Sequence, residues 1–510
     1  MNIKTYTNIE PNKSVTLLQF QKDIGRYDLT STLMSLQRLS ALMSNQVWVN
    51  LNLEFEFFSN PKIVKSILLS RDFVSFAAKQ AILSCSDSDM HYNDLDLVNL
   101  VYNYGNLDID LGHTNPESKD SWLTLLRGAN QQWHYLRLPY MVVGRYVYLL
   151  DKIRELNKGF YKEIKSINGL DLEDIFYIGV LIFSGYINPR ENFLPYFDLN
   201  RYINTDVEKW KQILTKEKIE KFLDIFTTKP ESFKKVNEKF ELKNVLLKKF
   251  EFNPLKRYPV IKTDSSRSEE MYIIPSLPDF IYACFEGIYY VMLDTLDDKK
   301  KDKLFETFGK AFEEYTGDLL QYNNVDLFSR AELVKERCYT VSKKSWKSAD
   351  WILVSENIIV QIECKKRKLD NYSRAGVQHD KDYGIDSFLK DTAGQLDKLD
   401  EKASHIKDGL VGDIKYQNQK FLNIIVYLDE MFTIDKYGRS TIEENMESNG
   451  KKTNFHIVGC YEFELICEYV RRNSIDFSTA VEDILGDRSD GIKSIKMLDD
   501  IFQSFFSRIR

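Results

Sequence analysis

The stretch Ser345–Lys368, SWKSADWILVSENIIVQIECKKRK, sets the architecture expected for the C-terminal half of the chain. Two apolar runs, Asp350–Ser355 and Ile358–Cys364, flank Glu356-Asn357. Apolar runs around a two-residue connection predict a β-hairpin, with Asn357 supplying the positive φ that tight turns favour. Closing the turn between Ser355 and Ile358 and counting outward sets Asp350 opposite Glu363. Directly opposed side chains share a face, about 5 Å apart at Cβ. Alternation along the second strand gives Glu363 and Lys365 one face and Ile358, Val360, Ile362 and Cys364 the other.

Two carboxylates held this close repel, and one takes up a proton unless a cation intervenes. Mg²⁺ takes oxygen ligands and keeps several waters of its own. Asp350 and Glu363 are therefore candidate metal ligands, and Lys365 is placed to orient or deprotonate a water or to steady charge on a phosphate. A hairpin ending in solvated charges is the competing reading.

Asp350, then twelve residues, then Glu363-Cys364-Lys365 resembles the D…(D/E)xK signature of the PD-(D/E)xK nuclease superfamily, with Ala349 where the pattern has Pro. The resemblance covers about Asp302 to Arg472. Upstream, Lys303–Tyr322 reads as a helix with Leu304, Phe308, Ala311, Phe312, Tyr315 and Leu319 on one stripe. Its Phe312-Glu313-Glu314-Tyr315 resembles the Phe-Glu-x-Tyr setting in which such families carry a further acid. That match points to Glu313, although helical geometry alone does not separate Glu313 from Glu314. Downstream, Asp386–Ser404 reads as a second helix, with Phe388, Leu389, Thr392, Leu396 and Leu399 buried. Its Gln395 resembles a Gln placed beside the scissile phosphate, although as a single residue it reads first as a helix-surface Gln.

Val334–Val341, Phe421–Leu428 and Asn454–Val458 read as further strands, the last followed by a helix through YEFELICEYVRR. The expected fold class is α+β or α/β. Residues 1–250 form a mainly α-helical domain, and 251–510 a domain around the restriction-endonuclease-like αβββαβ core that the resemblance implies, a mixed sheet flanked by helices. The resemblance also implies Mg²⁺, with Mn²⁺ as a substitute, at Asp350 and Glu363, with the Cys364 carbonyl and Glu313 as further ligands. It implies phosphodiester hydrolysis, with double-stranded DNA as the substrate. A large helical partner on such a domain resembles bacterial defence nucleases. A nuclease fold that only binds nucleic acid or protein, or one acting on RNA or on single-stranded or branched DNA, remains an open reading.

The chain has 510 residues, enough for two or more domains, and 43% hydrophobic residues, enough for a core in each. A net charge of −6 gives the whole molecule no bias toward nucleic acid, so any such surface is local. Lys343, Lys344 and Lys347 before Asp350, and Lys366, Arg367 and Lys368 after Lys365, are the candidate phosphate contacts. The most apolar run, Ile175–Ile187, has 13 residues, against the about 20 that span a bilayer. The N-terminus lacks a secretory pattern. Six cysteines show no CxxC pair and no zinc cluster, which fits a reduced, cytoplasmic setting. A homodimer, or a partner protein bound through the helical half, is compatible with the sequence. Helices are expected at Asp28–Ser44, from Asn60-Pro61, and at Asp120–Arg127, Tyr140–Leu156, Leu172–Ile187, Val207–Phe226 and Phe280–Leu296. The cluster Gln131–Tyr135 with Arg137 and Arg145 reads as a helix contact or a base-stacking surface.

Overall fold

The computed structural model describes residues 16–42, 49–51, 67–69, 71–85, 88, 90, 100, 139–187, 215–243, 248, 251–264, 270–366, 385–412, 414–428, 436–446 and 454–485. The expected helices from Asn60 and at Asp120–Arg127, the Gln131–Arg137 cluster, and Arg367 and Lys368 lie outside these residues. The chain mixes helix and sheet and falls into two compact units, divided between Lys301 and Asp302.

The first unit is mainly helical. Asp28 caps the helix Leu29–Leu42 by accepting the Ser31 N–H at 2.7 Å, and the helices Pro139–Leu156 and Leu172–Ile187 form where the apolar spacing places them. Residues 251–301, which the sequence reading attached to the second unit, pack within the first. Leu255, Ile261 and Ile273 share a core with Phe20, Leu36, Val74 and Ile82. The strands Val260–Asp264 and Glu270–Ile273 form a hairpin, and Thr227–Thr228 runs parallel to its first strand. The expected helix Phe280–Leu296 is broken: Leu277–Ile281 and Ile288–Thr295 are helical, with a π-turn at Tyr282–Glu286 where the Gly287 N–H reaches back to the Tyr282 carbonyl. No helix among the described residues is long and apolar enough to cross a membrane.

The second unit takes in α1 (Asp298–Tyr322) from Asp302 onward, and the stripe Leu304, Phe308, Ala311, Phe312, Tyr315 and Leu320 is buried. The strands β1 (Glu332–Lys335), β2 (Cys338–Val341), β3 (Lys344–Lys347), β4 (Trp351–Val354) and β5 (Ile358–Lys365) follow. Then come α2 (Ile385–Lys407), β6 (Lys420–Tyr427), α3 (Lys436–Asn445), β7 (Phe455–Gly459), α4 (Cys460–Asn473) and α5 (Phe477–Leu485). The five-stranded sheet runs β7-β6-β5-β4-β1. Its three long strands β5, β6 and β7 are parallel, while β4 is antiparallel to both β5 and β1.

Two local expectations change. Val334–Val341 is not one strand: it ends at Lys335, and Cys338–Val341 pairs with Lys344–Lys347 as a separate hairpin. Ser342 and Lys343 turn that hairpin with φ of 48° and 69°, left-handed values that the sequence does not advertise because neither is Gly or Asn. In the central hairpin neither Glu356 nor Asn357 has positive φ. There the Ser355 hydroxyl closes the turn, accepting the Ile358 N–H at 3.2 Å and donating to the Ile358 carbonyl at 2.9 Å. A side-chain hydroxyl does locally what the backbone conformation was expected to do.

One face of the sheet packs on α2, where Ile352, Ile359, Ile425 and Ile457 meet Phe388, Leu389, Leu396 and Leu399. The other meets α1. Trp351 donates its indole N–H to the Glu313 carbonyl at 2.8 Å and lies against Gly317, where any Cβ would fall 1.9 Å from the ring. All six cysteines are free, five buried and Cys338 exposed.

Candidate active site at the end of the central hairpin

The ladder β4–β5 pairs Trp351 with Ile362 and Val354 with Ile359. The next position outward on each strand is Asp350 and Glu363, the register that the turn predicts. Asp350 stands just before β4 and is held from both sides: its Oδ2 accepts the Cys364 N–H at 2.7 Å, and its carbonyl accepts the Glu336 N–H at 2.9 Å. The Cys364 thiol belongs to the opposite face, beside Thr316 of α1, where burial pushes it well above its ordinary value. The expected metal role of Cys364 concerned its carbonyl, and what the structure shows is its amide bound to Asp350.

The two acids differ in how readily they ionise, for physical reasons. Burial pushes the Asp350 carboxyl up to about 7, with Glu363 and Glu313 adding to the rise and the Cys364 hydrogen bond and Lys365 opposing it. Burial acts on Glu363 in the same direction, but two lysines outweigh it and hold this carboxylate below its usual range. Lys365 Nζ donates to Oε1 at 2.8 Å, and Lys402 Nζ, from α2, donates to Oε2 at 2.9 Å. Lys402 was not singled out in the sequence. Its only signal is its place on the stripe Gln395, Lys398, Lys402 along the polar side of α2.

The structure separates Glu313 from Glu314. Glu314 is tied to Lys335 in an ion pair. The Glu313 carboxyl is raised, first by burial and then by Glu336 and Glu363, so it lies in the field of the acid pair. Gln395 joins Lys365, Lys390, Asp391, Gly394, Lys398 and Tyr427 around a cleft of about 340 Å³. Three of these seven residues are lysines, and the cleft opens where β5 and β6 end.

The expected basic run divides. Lys344 lies 5.0 Å over the Trp346 ring beside the β2–β3 turn that Lys343 helps to form, and Lys347 pairs with Glu336 at 2.9 Å. Lys366 turns toward α1, donating to the Phe305 carbonyl and sitting 5.2 Å over that ring. Of the described residues in Lys365–Lys366, then, Lys365 is the one at the cleft.

No three His, Cys, Asp or Glu side chains among the described residues stand close enough to cage a metal as they are. A hard cation that keeps most of its waters needs only one or two carboxylates. Asp350, buried and pushed upward by two neighbouring acids, is the group that such a cation would relieve. The donor set therefore fits a Mg²⁺-like ion at Asp350 and Glu363, with the Glu313 carboxyl in their field. Compared with models of known protein families, with curated proteins and with solved structures, the chain matches none.

Proposed function

We propose that the second unit is a metal-dependent nuclease of the PD-(D/E)xK type that hydrolyses phosphodiester bonds, with double-stranded DNA as its substrate. The observation that carries this reading is the grouping of Asp350, Glu363 and Lys365 beside a lysine-lined cleft. The order of elements α1, β1, β4, β5, α2, β6 supports it, being the helix, three strands, helix, strand succession that the signature implies once the β2–β3 hairpin is read as an insertion. DNA as substrate rests on the resemblance of the motif alone.

Asp350 and Glu363 would hold the cation, which when bound supplies positive charge beside a phosphate and a water made more acidic. The rest falls to the chain. Lys398 and Lys390 draw the phosphate backbone into the cleft, and Gln395 offers its amide to a non-bridging oxygen. Lys365, fixed by its contact with Glu363, faces the phosphate and stabilises the charge that grows as water attacks.

The test is incubation of the full-length protein and of Glu363→Ala with supercoiled plasmid and Mg²⁺, with and without EDTA. Nicked or linear product from wild type with Mg²⁺ alone is the expected result. Intact plasmid under all conditions, or equal cutting by Glu363→Ala, overturns the reading.

A further inference from the structure

Glu363 is bracketed by two ammonium groups, one on each carboxylate oxygen. Lys365 has a part in the proposed reaction, and Lys402 does not. Lys402 reaches Glu363 from an element 39 positions away, and its side chain is only 12% exposed. An ammonium so far withdrawn from water is costly unless a partner recovers the loss. Its position is also fixed from behind. Gln361, two residues before Glu363 on the same face, donates to the Leu399 carbonyl at 3.0 Å and to Asn423 Oδ1 at 2.8 Å, and Asn423 Nδ2 donates to Asp400 Oδ1 at 2.9 Å. This clamp fastens the turn of α2 that carries Lys402.

We propose that Lys402 is an internal counter-ion that competes with a divalent cation for Glu363, and so sets the metal concentration at which the site fills. The inference rests on reading Asp350 and Glu363 as the metal pair. With both acids ionised, Lys365 and Lys402 match the charges of Asp350 and Glu363, so a divalent cation meets a pair of acids whose attraction is already largely offset. Each carboxylate oxygen keeps a lone pair beyond the one its lysine uses, so the cation can bind without evicting Lys402, but it binds against the repulsion of that ammonium. A phosphate entering the cleft beside Lys365 adds negative charge and reverses the balance. The free protein then binds metal weakly, and the nucleic-acid complex binds it strongly.

The experiment is calorimetric titration of Mn²⁺ into the metal-stripped full-length protein at fixed pH, for wild type, Lys402→Met, Lys402→Gln, Lys402→Arg and Glu363→Gln. Removing the ammonium should tighten Mn²⁺ binding by about fivefold or more, given the strength of a charge interaction over a few ångströms. Lys402→Arg should stay at the wild-type value. A purely structural role for Lys402 predicts the opposite sign, because a loosened Glu363 binds metal less well. Unchanged or weaker binding in the neutral variants that fold, whether one or both, overturns the proposal. If Glu363→Gln leaves wild-type Mn²⁺ binding untouched, the metal-pair reading itself fails, and the competition with it. If Glu363→Gln weakens binding while the neutral Lys402 variants do not tighten it, only the competition fails.

Discussion

Asp350 Oδ2 takes the backbone N–H of Cys364 at 2.7 Å, across the end of the β4–β5 ladder. The bond joins the two halves of the motif directly: the first acid is hydrogen-bonded to the residue between the second acid and the lysine. It favours the ionised form of Asp350. Burial and the neighbouring Glu363 and Glu313 nevertheless win, leaving the carboxyl near 7.

That imbalance makes the metal-free protein sensitive to pH. An acid whose folded pKa is raised stabilises the fold fully below its unfolded value, and that contribution is lost as pH rises through the folded value. For Asp350 the window runs from 3.8 to about 7. In EDTA, the melting temperature of wild type should fall relative to Asp350→Asn between about pH 4 and about pH 8. Mn²⁺ at the upper end should restore wild type and leave Asp350→Asn unmoved. A gap between the two proteins that stays constant with pH would show that Asp350 is not strained.

The cleft makes a separate, electrostatic prediction. Lys390 and Lys398 lie eight residues apart on α2, about 12 Å along its axis, and both line the space beside Lys365. Neutralising either should weaken retention of DNA and lower the slope of log affinity against log salt by about 0.9 for each phosphate no longer neutralised. Fluorescence anisotropy in EDTA with a labelled duplex, from low to moderate salt, measures this without cleavage. An unchanged slope in the double variant Lys390→Ala, Lys398→Ala would remove the cleft from the binding path.

What was legible in the sequence follows the range of the interactions involved. The register of Asp350 against Glu363 needs only a turn and period-2 alternation, both local, and it is what the β4–β5 pairing gives. The buried faces of α1 and α2 are likewise read from helical spacing, with Leu319 half-buried and Leu320 taking its place in the core. Lys402 was not legible. Its contact with Glu363 depends on how α2 lies on the sheet, where the amides of Gln361 and Asn423 bond the Leu399 carbonyl and Asp400 of that helix. The β2–β3 hairpin was missed because residues with unfavourable left-handed φ turn it.

Gly317 is the glycine of α1 that the site depends on. A Cβ there would fall 1.9 Å from Trp351, which stands next to Asp350 and binds the carbonyl of Glu313. Gly317→Ala should therefore cost about 1–3 kcal/mol or more by overpacking, although alanine favours a helix. The double variant with Trp351→Phe should recover part of the loss, as contacting positions couple. Denaturant unfolding checks both. A single variant as stable as wild type would mean that Trp351 is free to move.

The clamp behind Lys402 gives the last test. Asn423 faces Gln361 across the parallel β5–β6 ladder and donates its amide to Asp400. Asn423→Asp keeps the shape but replaces that donor with a second carboxylate, so two mutually repelling acids face each other where a hydrogen bond stood. Near neutrality the variant should lose about 1–3 kcal/mol. The deficit should shrink as acid protonates one of the pair and restores a donor, the same sense as for Asp350: in each comparison the protein that carries the extra buried carboxyl loses stability as pH rises. Because the same contact holds the turn of α2 that carries Lys402, plasmid cutting at neutral pH should fall by more than the folded fraction accounts for. A variant that loses stability equally at pH 4 and pH 8, with activity per folded molecule unchanged, would show that the clamp supports the core but does not position the site.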